Sequence, residues 1–288
     1  TEAGYYGHAS VGCLHIRPLI DLKHQDGVDR MVGIAEEISD LVLEFGGSMS
    51  GEHGDGLVRS GFNEKMFGTQ LYDAFREVKQ AFDPNGIMNP GKIVDSPPMT
   101  DNLRISPAYR TIPVETGFHF DQEGSFAHSI EMCNGQGACR KVLGGTMCPS
   151  FMVTRDEEHS TRGRANALRA AMSGALPAGS FTSERLYQVL DLCLECKGCM
   201  AECPSNVDMA KIKYEFLNQY HHANGYPLRN QLFGNIATLS KWGSFFAPVS
   251  NWANKLGATK KMLKTQVGID PRRQLPKFAS QTFTQWFG

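Results

Sequence analysis

The chain has 288 residues, 41% of them hydrophobic and 20% charged, with a formal net charge of -1; that is enough apolar material for a packed core and excludes a disordered polymer. The near-neutral balance argues against a nucleic-acid binder, which carries a basic excess or stripe. No run approaches the roughly 18 uninterrupted apolar residues of a membrane span, and the opening TEAGYYGHAS lacks the charged and apolar regions of a secretory signal.

In chain order, residues 1–95 alternate strand and helix signals. Cys13 to Arg17 alternates in polarity and predicts a strand ended by Pro18. From Asp26 to Phe45, Met31, Ile34, Ile38, Leu41, Val42 and Phe45 form a helical stripe that stops at Gly46-Gly47. A second helix is predicted from Glu64 to Phe82, ending before Asp83-Pro84-Asn85-Gly86. FDPNGIMNPGKI closes the region, and Asp95-Ser96-Pro97-Pro98 opens a linker over 96–124. Residues 125–225 read as helices between cysteine loops: Arg162 to Ser173, Ser183 to Leu192, and Val207 to His221, the last capped on entry by Ser205 or Asn206. Residues 226–288 form a helical extension and connector, rich in Trp, Phe and Lys but without a chemical motif.

Of the 8 cysteines, Cys13 stands alone and the other seven fall between Cys133 and Cys203. A secreted disulfide scaffold would be short and would spread its cysteines; two tight groups in a mid-sized chain point to metal ligation in a reducing compartment. The expected location is the cytoplasm, or the inner face of a membrane as a peripheral protein. Cys193-x2-Cys196-x2-Cys199-x3-Cys203-Pro204 is the strongest signal. Three thiolates at these spacings wrap one [4Fe–4S] cube, and the fourth Cys, followed by Pro, ligates the other cluster of a two-cluster protein. Zinc modules favour paired CxxC units with longer spacers.

A partner motif, Cys133-x5-Cys139-x8-Cys148-Pro149, precedes it. Crosswise ligation assigns Cys148 to the cluster of Cys193, Cys196 and Cys199, and leaves Cys133, Cys139 and Cys203 for a second cluster. With three ligands that centre is either [3Fe–4S], or [4Fe–4S] completed by another group. Cys13 is formally an eighth ligand, but a small side chain lining a pocket or core is the preferred reading. After Cys148, Arg155, Arg162, Arg164 and Arg169 have two readings: a solvated helix face, or cations that offset anionic clusters and raise their potential.

This cysteine pattern resembles the alpha-helical ferredoxin domain of succinate dehydrogenase and glycolate oxidase iron–sulfur subunits, with the two motifs in reversed order and a longer spacer before Cys148. The run TRDEEHSTRGRANALRAAMSG resembles the glycolate-oxidase type.

The first region holds Gly7-His8-Ala9-Ser10-Val11-Gly12-Cys13-Leu14-His15 and Ser50-Gly51-Glu52-His53-Gly54-Asp55-Gly56. Two His seven residues apart face opposite sides of a regular strand; Gly7 and Gly12 instead predict a turn at His8 that lets both imidazoles converge. With Glu52 they make two imidazoles and one carboxylate with an open position, the donor set of a catalytic divalent metal. His53 is then placed to act as general base. The competing reading is that these His are structural.

GHASVGCLH, GSMSGEHGDG and FDPNGIMNPGK together resemble the C-terminal half of FAD-linked oxidases of the vanillyl-alcohol oxidase type, among them D-lactate and D-2-hydroxyglutarate dehydrogenases. The resemblance implies that His8, His15 and Glu52 bind a zinc-like metal and that His53 takes the substrate's hydroxyl proton. It also implies that Asn89, Pro90, Gly91 and Lys92 lie by the flavin. Arg17, on the strand face of His15, is the candidate for a distal substrate carboxylate. The family's GDGN before Leu-His reads Ser10-Val11-Gly12-Cys13 here.

These readings predict an α+β chain. Residues 1–95 are the C-terminal part of a ferredoxin-like flavoenzyme cap domain, 96–124 a linker, 125–225 an alpha-helical ferredoxin domain with two iron–sulfur clusters, and 226–288 the extension. No Gly-rich pyrophosphate loop is present, so an FAD domain is expected before residue 1 and a Cys-rich domain beyond 288 of the same protein. The implied function resembles that of large bacterial fusion enzymes: oxidation of a small D-2-hydroxy acid (D-2-hydroxyglutarate or D-lactate) by FAD, with electrons leaving through the clusters to a quinone or other carrier. The rival reading is a non-catalytic iron–sulfur module that docks a separate flavoprotein.

Overall fold

In the computed structural model, which describes residues 2–51 and 53–288, Ala3–His8 (β1) pairs antiparallel with Cys13–Pro18 (β2), His8 opposite Cys13 and Tyr6 opposite His15. The connection is a single 3-10 turn over Ala9–Val11, closed by Gly12 in the left-handed region (φ 63°). Because side chains alternate along a strand and opposed residues share a face, Tyr6, His8, Cys13, His15 and Arg17 all lie on one side of this two-stranded sheet. The other side carries exposed Tyr5, Leu14 and Ile16.

The chain divides into two units, Thr1–Arg110 and Thr111–Gly288. In the first, the hairpin is followed by α1 (Gln25–Glu44), α2 (Gly56–Arg59), α3 (Asn63–Phe67) and α4 (Thr69–Phe82). The single helix expected from Glu64 to Phe82 is two helices. Gly68 between them has φ 77° and ψ 158°, a conformation closed to residues with a Cβ, and it both ends α3 and precedes α4. After α4, Asp83 accepts the Ile87 and Met88 backbone N–H groups, both at 2.9 Å, and pairs with Lys79 at 2.5 Å, which fixes the turn leading into Asn89–Lys92.

The second unit is helical: α5 (Phe126–Glu131), α6 (Pro149–Thr154), α7 (Thr161–Met172), α8 (Glu184–Asp191), α9 (Gly198–Glu202) and α10 (Met209–Asn224). Their starts follow the usual capping chemistry, with Ser125, Ser160 and Ser183 accepting backbone N–H groups. Asp208, not Ser205 or Asn206, caps α10 by accepting the Lys211 N–H; Asn206 has φ 52° and closes the turn before it. One core joins these helices, with Ile130, Leu168, Leu190, Val207 and Phe216 each at most 1% exposed and Cys133, Cys139, Cys148 and Cys199 among them. Aromatic rings run through it from Phe120 through Phe126 and Phe181 to Phe216 and Tyr220, at centroid separations of 5.3 to 6.3 Å. Short helices α11 (Leu228–Gly234), α12 (Ile236–Phe245), α13 (Ala247–Ala253), α14 (Gly257–Met262) and α15 (Phe283–Phe287) complete the chain. Among the described residues the chain is thus mostly helical with one small sheet, and no helix is long and apolar enough to cross a membrane.

Candidate functional site

All seven cysteines of the second unit are free thiols, and they sort into two hollows. Cys133, Cys139 and Cys203 line the first, with Arg162 and Thr161; Cys148, Cys193, Cys196 and Cys199 line the second, with Arg164 and again Thr161. Each hollow therefore draws thiols from both sequence motifs, three in one and four in the other. The spaces are similar, about 270 and 320 Å³ including solvent at their mouths.

Among the described residues, no three His, Cys, Asp or Glu side chains converge closely enough to hold a single metal ion. Sulfurs around one zinc would all lie ~2.3 Å from it. Thiols spread around a hollow instead suit a polynuclear core that holds each ligand at its own corner.

The loops wrap these hollows at a conformational cost. Glu195 (φ 56°) and Lys197 (φ 58°) alternate with the cysteines of the second motif, and Cys148 itself has φ 52°. Left-handed conformations at non-glycine residues cost about 1–3 kcal/mol each and gather at ligand sites. Burial pushes the Cys148 and Cys199 thiols up from their ordinary range, while hydrogen bonds from Thr161 pull Cys148 back. Iron bound there would displace the thiol proton.

The start of α7 faces both hollows. The Thr161 backbone N–H donates to Cys148 Sγ at 3.0 Å, and the Thr161 hydroxyl lies 2.9 Å from the same sulfur. The next amide, of Arg162, donates to Cys139 Sγ at 3.3 Å. Gly163 N–H goes to the Ser160 cap at 2.9 Å. A Cβ at Gly163 would lie 1.9 Å from the Glu157 carbonyl oxygen, so this approach of α7 requires glycine.

The four arginines after Cys148 differ. Arg155 is exposed. Arg162 is paired with Glu157 at 2.7 Å, which holds the Glu157 carboxyl below the usual range. Arg164 is 1% exposed and, among the described residues, donates to two neutral oxygens, Val189 C=O at 3.1 Å and Ser150 Oγ at 3.0 Å. Arg169 is half-buried on α7. Lys213, also buried, donates to the Cys193 C=O at 2.8 Å and pairs with Glu195 at 2.9 Å, so it fixes the second motif's loop.

In the first unit the hairpin brings two imidazoles together: the His8 and His15 ring centroids are 5.1 Å apart, edge to face. Two imidazoles bound at ~2.0–2.1 Å to one tetrahedral ion would have centroids about 5 Å apart, which is the spacing of this pair. The convergence comes from strand pairing rather than from a turn at His8, which ends β1. Cys13 Sγ lies 3.9 Å from His15 Nε2, and a Cβ at Gly51 would touch Cys13 Sγ at 3.7 Å, so Gly51 comes up to this face. His53 is exposed; Glu52 lies outside the described residues. Arg17 stands over the Tyr6 ring at 5.0 Å, and Tyr6 stacks on His15 at 4.8 Å.

Tyr6 and Thr161 are the neighbours that sequence reasoning missed. Strand register would have flagged Tyr6 once the hairpin was recognised; nothing local marks Thr161. Asn89 (φ 44°), Pro90, Gly91 and Lys92 form an exposed to half-buried turn, with Lys92 Nζ 3.2 Å from Asn89 Oδ1. That turn is held by Asp83 and by Ser60, whose hydroxyl accepts the Ile93 N–H at 2.8 Å.

Residues 1–93 match the family model of FAD linked oxidases, C-terminal domain, and residues 129–207 match that of the 4Fe-4S dicluster domain. The D-2-hydroxyglutarate dehydrogenase of Haemophilus influenzae is 28% identical over 93% of this chain and 29% of its own length. That of Pseudomonas putida is 31% identical over 81% of this chain and 26% of its own length. The glycolate oxidase subunit GlcD of Bacillus subtilis is 36% identical over 31% of this chain and 19% of its own length. The chain thus spans about three tenths of the length of the D-2-hydroxyglutarate dehydrogenases it matches. No solved structure matches it. With these matches on its two units, the chain joins an FAD-linked oxidase C-terminal domain to a 4Fe-4S dicluster domain.

Proposed function

We propose that this chain supplies the substrate-side metal site and the electron relay of a flavin-dependent dehydrogenase that converts a D-2-hydroxy acid, D-2-hydroxyglutarate or D-lactate, to the 2-oxo acid and passes the electrons to a quinone or another carrier. The observation that supports it most is the sorting of seven thiols into hollows of three and four that share Thr161 as a wall. A two-electron donor and a one-electron carrier must meet in such an enzyme, and a pair of neighbouring centres serves that need. FAD, when bound, supplies the hydride acceptor, and the clusters, when bound, carry single electrons.

The chain's own residues then divide the work. Cys148, Cys193, Cys196 and Cys199 would hold a [4Fe–4S] cluster, and Cys133, Cys139 and Cys203 a second cluster of [3Fe–4S] or [4Fe–4S] type. His8, His15 and Glu52 would hold a divalent metal, zinc in the first instance, that polarises the substrate hydroxyl. His53 would take the hydroxyl proton on its ring. Arg17, braced on Tyr6, would hold a distal carboxylate by a forked pair of hydrogen bonds. Asn89, Pro90, Gly91 and Lys92 would border the flavin.

The test is anaerobic isolation of the intact protein with iron and acid-labile sulfide counts and EPR, followed by addition of D-2-hydroxyglutarate or D-lactate. The expected result is two sets of cluster signals and bleaching of the flavin by one of these acids. Zinc without acid-labile sulfide, or no bleaching with any 2-hydroxy acid, overturns the proposal.

A further inference from the structure

The buried guanidinium of Arg164 lacks an anion. Among the described residues it forms no ion pair, and its two hydrogen bonds go to a carbonyl and a hydroxyl. A charge buried this deeply is expensive unless a countercharge faces it. The hollow that it lines is walled by four thiols, and four thiolates around a [4Fe–4S] core carry net negative charge. Arg162, at the other hollow, already has the Glu157 carboxylate at 2.7 Å. The two guanidinium groups are therefore unlike in what they leave uncompensated.

Hydrogen bonding repeats the asymmetry. Cys148 Sγ faces both the amide and the hydroxyl of Thr161, whereas Cys139 Sγ has the Arg162 amide. A thiolate bound to iron can only accept, so the hydroxyl of Thr161, which is 2% exposed, must then donate. Donors and cations near the sulfurs favour the more negative, reduced cluster and so raise its potential.

We infer that the first turn of α7 sets the potential of the Cys148 centre more than that of the Cys133 centre, through the Thr161 hydroxyl and the charge of Arg164, which has no acidic partner among the described residues. Thr161 and Arg164 are positioning residues in this scheme: neither ligates iron. The inference rests on the reading of both hollows as cluster sites.

The experiment is a potentiometric EPR titration of the intact protein, with Cys196→Ala used to identify which signal belongs to the Cys148 centre. Thr161→Val keeps the amide and the shape but removes the hydroxyl. It should lower the reduction equilibrium constant of the Cys148 centre by up to about tenfold, or ~59 mV for a one-electron couple, and leave the other centre in place. Arg164→Met should lower it further, and Arg164→Lys should restore most of the loss. A merely structural role for these residues would reduce stability without moving one potential alone. Unchanged potentials in Thr161→Val, or equal shifts at both centres, overturn the inference; absence of iron and sulfide from the wild-type protein instead overturns the reading beneath it.

Discussion

Cys139, Cys148 and Cys199 belong to the same buried cluster as Phe151, Leu168 and Phe216, whereas His8, His53 and Arg17 stand exposed on a hairpin and a loop. The first unit thus presents these groups on a hairpin and a loop, and the second embeds Cys139, Cys148 and Cys199 in its core. In the second unit, with Cys139, Cys148 and Cys199 as proposed ligands, ligand loss and loss of packing would be one event, because these three are core residues and metal binding is folding energy. In the first unit, chemistry and stability should separate cleanly.

The sharpest way to break that contrast is Cys148→Ala. It should abolish one centre completely and lower the unfolding midpoint of the second unit, seen as lost iron, lost sulfide and an earlier calorimetric transition. An unchanged transition would show that the thiols are passengers in the core. His15→Ala should do the reverse. Substrate-dependent flavin reduction should fall about 10²-fold or more if it holds a metal that assists proton transfer, while iron content and stability stay within about 0.5 kcal/mol of wild type, as expected of a surface change. Phe216→Ala comes next. It touches no thiol hollow but removes the ring between Phe181 and Tyr220, and should cost about 3–5 kcal/mol by denaturant titration. Faster release of both clusters with no change at the hairpin would sharpen the contrast.

Much of this was legible in the residues. The cysteine spacings carry the division into two groups, because Cys-Pro termini at both Cys148 and Cys203 point the last thiol of each motif across to the other motif. The expected helices Arg162–Ser173 and Ser183–Leu192 lie within one residue of α7 and α8, whose starts are capped by Ser160 and Ser183. The break at Gly68 was less visible, since Lys65, Phe67, Leu71 and Phe75 keep a plausible helical pattern across it and a lone glycine is tolerated in a helix. Tyr6 was legible only through the strand pairing, and the role of the Thr161 amide was not legible at all. One depends on which strand pairs with β2, the other on the approach of a helix start to loops that are 13 and 23 residues away along the chain.

The smallest predicted effect concerns Glu202, which links the ligand loops of both hollows. It directly precedes Cys203, and its carboxylate accepts from the Thr146 hydroxyl at 2.7 Å and from the Thr146 N–H, within the loop between Cys139 and Cys148; Lys141 sits 3.2 Å away. The Thr146 hydrogen bonds, then Lys141, pull the Glu202 carboxyl down to about 2 from the ordinary 4.5. A carboxyl depressed by folding contributes stability above its unfolded value, and that contribution is lost as pH falls from about 4.5 toward 2. Glu202→Gln should therefore release clusters somewhat faster than wild type at neutral pH, where the wild-type carboxylate is fully charged. The difference should shrink as the pH is lowered through that window, because protonation removes the same contacts from the wild-type protein. Cluster absorbance followed over time at a series of pH values measures both. A difference between the two proteins that grows toward low pH would mean that Glu202 acts through something other than its charged hydrogen bonds to Thr146.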